Sequence, residues 1–71
     1  MSIAKIIEVI SEGKNIEEAV QSALTEASKT LHNIQQINVE HIEARIENNK
    51  ISKYRTRCKI SFILDNDRQN D

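Results

Sequence analysis

Apolar residues fall on both faces of a β-strand that the alternation predicts over residues 3–11. The odd-numbered apolar positions lie on one face and the even-numbered positions on the other, namely Ile3, Ile7 and Val9 against Ala4, Ile6 and Ile10. A chain of 71 residues can cover only one face of a sheet with its own helix. The second apolar face therefore predicts contact with another subunit.

A turn over residues 11–14 and a helix are predicted to follow this strand. Asn15 and Glu18 have the spacing of a capping box, which opens a helix. A single apolar stripe then recurs at helical spacing; its members are Ile16, Ala19, Val20, Ala23, Leu24, Ala27 and Leu31. The stripe predicts a helix of about four turns that ends near His32 and Asn33, with His32 as a partner of the helix dipole.

The remaining chain predicts a long β-hairpin. Its first arm has apolar residues at odd positions before residue 40 and at even positions after residue 41, which predicts a β-bulge around Glu40 and His41. Its second arm alternates cleanly, with Tyr54, Thr56, Cys58, Ile60, Phe62 and Leu64 facing inward.

The hairpin loop is predicted from the match between the two arms. A three-residue turn, Asn48 to Lys50, places Ala44 opposite Tyr54 and Ile42 opposite Thr56. A two-residue turn would place Ala44 beside Lys53 and mix core with charge, so the pattern favours three residues.

These elements predict an α+β fold of βαββ topology. The helix acts as a crossover that makes the first two strands parallel, and the third strand lies between them, antiparallel to both. The result is a three-stranded sheet of order 1-3-2 covered by one helix. Residues 1–64 are predicted to form a single domain, followed by a polar C-terminal tail over residues 65–71.

Composition narrows the classes of function. Ten basic and eleven acidic residues give a net charge of -1, which argues against a general nucleic-acid binder because phosphate neutralisation needs a basic excess. We expect neither a membrane span nor an export signal. Cys58 is the one cysteine, and its inward position indicates a core residue in a cytoplasmic protein, with no neighbour placed to activate it for catalysis.

The second and third strands also carry a stripe of charge. Cations on the third strand lie opposite polar residues on the second, namely Lys53, Arg55, Arg57 and Lys59 against His41, Glu43, Arg45 and Glu47. Such a stripe either forms a cross-strand ladder of ion pairs or lines a ligand cavity, and the ladder is favoured.

In its segments and their spacing the chain resembles the dodecin family. These very small proteins of strand, helix, strand and strand assemble into a hollow shell of twelve subunits. The resemblance rests on the order of Ala4 to Ser11, Glu17 to Val20, Ala27 to Ile34, and Tyr54 with Ile60 to Leu64. It covers nearly the whole chain and implies a homododecamer as the assembled form.

The resemblance also assigns positions to a ligand site. Flavin-binding members hold riboflavin or its phosphate (FMN) between subunits, with the ring stacked on a Trp that corresponds to Gln36 here and bonded to a Gln that corresponds to Arg55. An Arg-Gly pair common in bacterial members corresponds to Glu43 and Ala44. The implied ligand-binding positions are therefore degenerate; they are Gln36, Glu43, Arg45 and Arg55.

The resemblance thus implies a non-enzymatic shell protein that sequesters a small ligand or ion, without the usual flavin-stacking Trp and Gln. A flavin-storage dodecin with a weaker or displaced site is the alternative. Some members that lack the Trp carry a Tyr-Arg pair in the third strand, as Tyr54 and Arg55 do here, and are linked to calcium. FMN, riboflavin and calcium are the candidate ligands, and other copies of this chain are the expected partners.

Overall fold

The computed structural model of the chain describes residues 3–64. They form strand β1 (Ile3–Gly13), helix α1 (Ile16–Ala27), strand β2 (Ile34–Glu47) and strand β3 (Lys50–Leu64). Both β1 and β2 pair antiparallel with β3, so the sheet order is β1-β3-β2. The predicted βαββ topology is confirmed, whereas the predicted tail over residues 65–71 lies outside the described residues.

Strand β1 continues through residues that the sequence predicted as a turn. Gly13 pairs with Tyr54 and Ser11 with Thr56, so the turn prediction is wrong for residues 11–13. Ser11 Oγ donates a hydrogen bond of 2.6 Å to the carbonyl oxygen of Ala19 and lies 3.0 Å from Thr56 Oγ1. The extended strand is favoured because it ties α1, β1 and β3 together through one hydroxyl group.

Gly13 lets α1 approach the sheet closely. A Cβ atom at this position would lie 2.5 Å from the backbone nitrogen of Ala19 and 2.9 Å from the carbonyl carbon of Glu18. Both contacts are with helix backbone, which has no flexible side chain that could move aside. The first turn of α1 therefore packs directly on the end of β1.

We expect Gly13→Ala to lower the free energy of unfolding by about 1–3 kcal/mol, because the added methyl group can be accommodated only by shifting the helix. Urea unfolding at fixed protein concentration measures the change. Lys14→Ala removes an exposed side chain next to it and should stay within about 0.5 kcal/mol of the wild type. Equal stability of the Gly13→Ala variant and the wild type would contradict the close packing.

Helix α1 begins at the predicted cap. Asn15 Oδ1 accepts a hydrogen bond of 2.8 Å from the Glu18 N–H, and Glu18 Oε1 accepts one of 2.5 Å from the Lys14 N–H. These bonds satisfy donors that the first helical turn leaves without a partner. The capping box is confirmed, with Glu18 reaching the residue before the cap.

The helix ends earlier than predicted. It stops at Ala27, and Ser28 closes it with an N–H bond of 2.9 Å to the carbonyl oxygen of Leu24. The apolar spacing extends to Leu31 because a turn keeps this residue close, with its N–H 2.9 Å from the Ala27 carbonyl oxygen. His32 lies beyond the last helical turn, to which dipole effects are confined, so its predicted role is wrong.

The core lies between α1 and the middle of β3. Thr56, Cys58 and Ile60 are 0% exposed, which confirms that Cys58 is a core residue. The buried face of α1 consists of alanines, whose small side chains allow the helix to pack close to the sheet; they are Ala19, Ala23 and Ala27.

A two-residue turn joins β2 to β3. Glu47 pairs with Lys50, and Asn48 and Asn49 have φ angles of 53° and 61°. Two successive positive φ angles are typical of a type I′ hairpin turn, in which Asn is favoured. The predicted three-residue turn is wrong.

One bulge restores the predicted register after the shorter turn. Arg45 pairs with Lys53 but Ile46 pairs with Ile51, so Ser52 is an extra residue that replaces the missing turn residue. Beyond it Ala44 lies opposite Tyr54, Ile42 opposite Thr56 and Val39 opposite Cys58, as predicted. The predicted bulge near Glu40 is confirmed by the register shift between Val39 and His41.

The hairpin extends well beyond the helix. The 15 residues of β3 span roughly 50 Å at about 3.4 Å per residue, and the 12 residues of α1 span about 18 Å. Since β1 pairs only as far as Tyr54, residues 45–53 form a two-stranded arm. Ile46 and Ile51, paired on this arm, are 56% and 52% exposed. The arm therefore extends a pair of strands, with exposed apolar side chains, beyond the part of the sheet that α1 covers.

Candidate ligand site

The sheet face opposite α1, called here the open face, carries exposed apolar side chains on β1. Ile6 is 62% exposed and Ile10 is 58% exposed. Ile7 and Val9, which point the other way along the strand, pack against the core. The prediction that β1 is apolar on two faces, of which its own helix covers one, is confirmed.

The middle of the open face is charged. On β3 it carries four successive cations at every second position, namely Lys53, Arg55, Arg57 and Lys59. Across from them on β2, Arg55 faces Glu43, Arg57 faces His41 and Lys53 faces Arg45. The predicted register of the charged stripe is therefore confirmed.

The cations of this stripe form ion pairs with a residue of β1 instead of with residues of β2. Glu12 accepts hydrogen bonds from Lys53 Nζ at 2.9 Å and from Arg55 Nε at 3.1 Å. Within residues 3–64, the ion pairs that β3 forms are both with Glu12. The expected ladder between β2 and β3 is thus wrong as an ion-pair network, although the residues lie opposite one another.

Sequence reasoning missed Glu12 because it placed this residue in a turn. A signal was present: Glu12 continues the even-numbered series of Ile6, Glu8 and Ile10 on the open face. Extending the strand by two residues brings a carboxylate directly opposite Arg55. The pKa of the Glu12 carboxyl lies below its usual range, mainly because of the hydrogen bond from Lys53 and then because of the one from Arg55.

This lowered pKa has a predictable effect on stability. A carboxyl with a depressed folded-state pKa contributes stability above its unfolded pKa of about 4.3 and loses that contribution as pH falls through the folded pKa. We expect Glu12→Gln to have a lower melting temperature than the wild type near pH 7. The difference in melting temperature should disappear as pH falls below about 4.3. Since Glu12 is exposed, the difference is small.

Thermal melts from neutral to acidic pH measure this effect. Glu40→Gln removes the same charge from an exposed position on β2 and is the matched control, which should show a smaller difference in melting temperature at neutral pH. A difference for Glu12→Gln that stays constant over the whole pH series would contradict the role assigned to this carboxylate.

Three of the four predicted site residues come together in one hollow. Glu43, Arg45 and Arg55 line a hollow of about 260 Å³ on the open face. Its other lining residues are Glu12, Ala44, Ile46 and Lys53. The hollow lies where the three-stranded sheet passes into the two-stranded arm.

Gln36 lies apart from the other three. It pairs with Ser61, six positions from Arg55 along β3, a separation of roughly 20 Å at about 3.4 Å per residue. Its side-chain amide donates a 2.6 Å hydrogen bond to Asn38 Oδ1 and is exposed. Gln36 therefore lies outside the hollow that the other three residues form.

The described residues show neither a clustered metal site nor a membrane helix. Among residues 3–64, no group of three or more His, Cys, Asp or Glu side chains is placed to hold a metal ion. In the same part of the chain, no helix has the length and hydropathy required to cross a membrane.

Comparison with known proteins decides the family. The family model for dodecin matches residues 3–65, which spans β1 to β3. The chain belongs to the dodecin family. Dodecins are known as small, non-enzymatic flavin-binding proteins.

Solved dodecin structures share the fold over most of their length. A variant of the Thermus thermophilus dodecin has a TM-score of 0.86 at 26% identity, and the match covers 92% of this chain and 98% of that chain. The Streptomyces coelicolor dodecin has a TM-score of 0.84 at 25% identity, with coverage of 90% and 93%.

A more distant relative supports the fold alone. The Streptomyces davaonensis dodecin has a TM-score of 0.83 at 20% identity, and the match covers 90% of this chain and 96% of that chain. No curated protein matches the chain.

Proposed function

We propose that the protein is a non-enzymatic, cytoplasmic shell protein, assembled as a homododecamer, that sequesters a small ligand or ion without tight flavin binding. The observation that carries this proposal is the apolar surface that the dodecin fold leaves bare on a single chain. Ile6 and Ile10 occupy the open face, and the arm exposes Ile46 and Ile51. Large apolar side chains exposed in several regions of so small a chain indicate interfaces between molecules.

The edge of β2 adds to this uncovered surface. Val39 and Ile42 lie opposite the buried Cys58 and Thr56, so they face the helix side of the sheet. They remain exposed, whereas Ile34 and Ile37 on the same strand pack against the core. Apolar side chains on three separate regions of one small chain are best accounted for by several neighbouring copies.

The flavin part of the proposal rests on Gln36. At the position where flavin-binding dodecins offer a Trp face, this side chain can donate and accept hydrogen bonds but has no aromatic surface. Glu43 adds a negative charge at the position of the Arg of these proteins, which disfavours a flavin phosphate. Weak flavin binding is the result that both substitutions predict.

Calcium is disfavoured at the hollow on the open face. Calcium takes six to eight oxygen ligands, and the hollow has the carboxylates of Glu12 and Glu43 beside three cationic side chains. The cations outnumber the carboxylates and repel a divalent ion. A flavin held at a displaced site, and calcium held at another position, are the alternatives among the family's ligands.

Light scattering and flavin titration of the wild-type protein test the proposal. We expect a mass close to twelve chains of 8.2 kDa and an FMN fluorescence that is scarcely quenched. A monomer or dimer mass would overturn the shell. Saturable quenching at low micromolar protein would favour the flavin-storage alternative, and a thermal melt with calcium or flavin would show whether either ligand stabilises the fold.

A further inference from the structure

We propose that the two-stranded arm of each chain docks into the groove between α1 and β1 of a neighbouring copy. This inference rests on the proposed function and deepens it, since it names the two surfaces that meet when copies of the chain assemble. The arm enters through its apolar pair, Ile46 and Ile51.

The first observation is an apolar groove beside β1. It has a volume of about 310 Å³ and lies between β1 and the second half of α1. Its remaining lining is polar and includes Ser22 and Glu26, but most of it is aliphatic; the apolar lining residues are Ile7, Val9, Ile10, Ala23, Ala27 and Leu31. A concave apolar surface with few polar groups suits an inserted aliphatic side chain. Through Ile10 the groove also continues onto the open face, which the proposed function places against neighbouring copies.

The second observation is the apolar pair on the arm. Ile46 and Ile51 lie opposite each other and are each more than half exposed. The exposed apolar side chains of the open face and of the β2 edge belong to the three-stranded part of the sheet, whereas this pair lies beyond it. A groove is filled by an element that projects, so the arm is the occupant that this chain offers.

The groove and the arm that fills it belong to different copies. Val9 in the groove pairs with Cys58, which lies seven positions from Ile51 along β3, or roughly 24 Å at about 3.4 Å per residue. Strand β3 is continuous over these residues, so the arm extends away from the groove of its own chain. A contact between two different surfaces of identical chains is heterologous and closes into a ring when the rotation between copies allows it. Each copy then provides one arm and receives another, as a closed shell requires.

The third observation is the opposite charge of the two elements. Residues 45–53 have three basic side chains and one acidic side chain, a net charge of +2. Helix α1, which forms one wall of the groove, has three acidic side chains and no basic one, a net charge of -3. Complementary charge of this kind favours the approach of the arm to the helix and orients it there.

The fourth observation is that both elements have unpaired strand edges. Within residues 3–64, β1 pairs with β3 alone, so its outer edge has no partner strand. In the same range, the edge of β3 before Tyr54 is unpaired on the side of β1, because β1 ends at Gly13. Unpaired edges readily take up strands of other chains. This favours a second copy of the chain over a small apolar molecule as the occupant of the groove.

Photo-cross-linking of the full-length protein tests the inference. Ile51 is replaced by an aliphatic amino acid that bears a diazirine, and light scattering before irradiation compares its mass with that of the wild type. Covalently linked chain pairs are then isolated in denaturant and digested with trypsin, which cuts after Lys5, Lys14 and Lys29. We expect the arm to be linked to fragments 6–14 and 15–29, which contain most of the groove. The same amino acid in place of Ile46 should be linked to the same two fragments.

Substitutions at Ile46 provide the matched controls. Added to the protein with the diazirine at position 51, Ile46→Asp should remove most of the cross-links to fragments 6–14 and 15–29, because a carboxylate without a partner is disfavoured in an apolar groove. Ile46→Leu should keep them. Equal cross-linking of the two variants would overturn the role of the apolar pair. Circular dichroism shows that both variants fold.

The outcomes separate this inference from the proposed function. A mass of twelve chains with the arm linked only to other fragments, or with no linked chains, overturns the arm contact alone. A smaller assembly in which the arm is linked to fragments 6–14 and 15–29 supports the arm contact and overturns the dodecamer. A monomeric mass overturns both.

Discussion

Replacing Ile6 by Asp is expected to dissociate the assembled protein into species of one or two chains. Ile6 is 62% exposed in the single chain, so within an assembly its side chain is available to an apolar contact with a neighbour. A carboxylate buried there without a partner costs several kcal/mol, and the substitution is repeated in every subunit. Light scattering measures the loss of mass, and circular dichroism shows whether the chain remains folded.

The size of this effect distinguishes an interface from a water-exposed surface. In a lone molecule, a substitution at so exposed a position changes stability by about 0.5 kcal/mol or less. Ile6→Leu preserves volume and apolar character and should keep the wild-type mass. An Ile6→Asp variant that retains both fold and wild-type mass would show that this face is in contact with water.

The topology could be predicted from the sequence because each element has a strong local signal. Asn15 and Glu18 mark the helix start, and the change of apolar phase after Val39 marks the bulge. The register of the hairpin was also predicted, although the turn was wrong. Two asparagines in succession favour a type I′ turn, but the compensating bulge at Ser52 has no comparable sequence signal. The shorter turn and the extra residue Ser52 cancel beyond Lys53, so matching apolar residues across the two strands predicts the correct register.

Long-range contacts were harder to predict. Serine is common in turns, yet the contacts of the Ser11 hydroxyl with Ala19 and Thr56 stabilise an extended strand. That extension places Glu12 between Lys53 and Arg55. Tertiary hydrogen bonds here override local turn propensity. The candidate site could likewise be predicted only in part. Matching to a family pattern identifies the positions, but the separation between Gln36 and Arg55 follows only from the register of the sheet.

Replacing Gln36 by Trp is expected to raise the affinity for riboflavin by about a thousandfold. Burying an aromatic face of about 150–250 Å² contributes roughly 4–6 kcal/mol as an upper bound, and stacking geometry adds about 0.5–1.5 kcal/mol. Every 1.4 kcal/mol corresponds to tenfold in the dissociation constant. Riboflavin is the appropriate ligand because it has no phosphate for Glu43 to repel, and quenching of its fluorescence reports binding.

The matched control is Gln36→Leu, which adds apolar surface at the same position without an aromatic face. It should gain far less affinity than Gln36→Trp. Equal affinity of the two variants for riboflavin would show that an aromatic face is not what this position lacks. Tight riboflavin binding by the wild type would contradict the premise that Gln36 weakens the site.

Combining the two substitutions links the site to the assembly. The backbone positions of Gln36 and Arg55 are roughly 20 Å apart along β3 in one chain at about 3.4 Å per residue, and the proposed function places the flavin position between neighbouring copies. Ile6→Asp together with Gln36→Trp should therefore lose the riboflavin affinity that Gln36→Trp alone gains. A double variant that is monomeric and still binds riboflavin tightly would show that one chain suffices for the site. Since Trp at this position remains present in both proteins, the difference between them measures what the neighbouring subunits contribute.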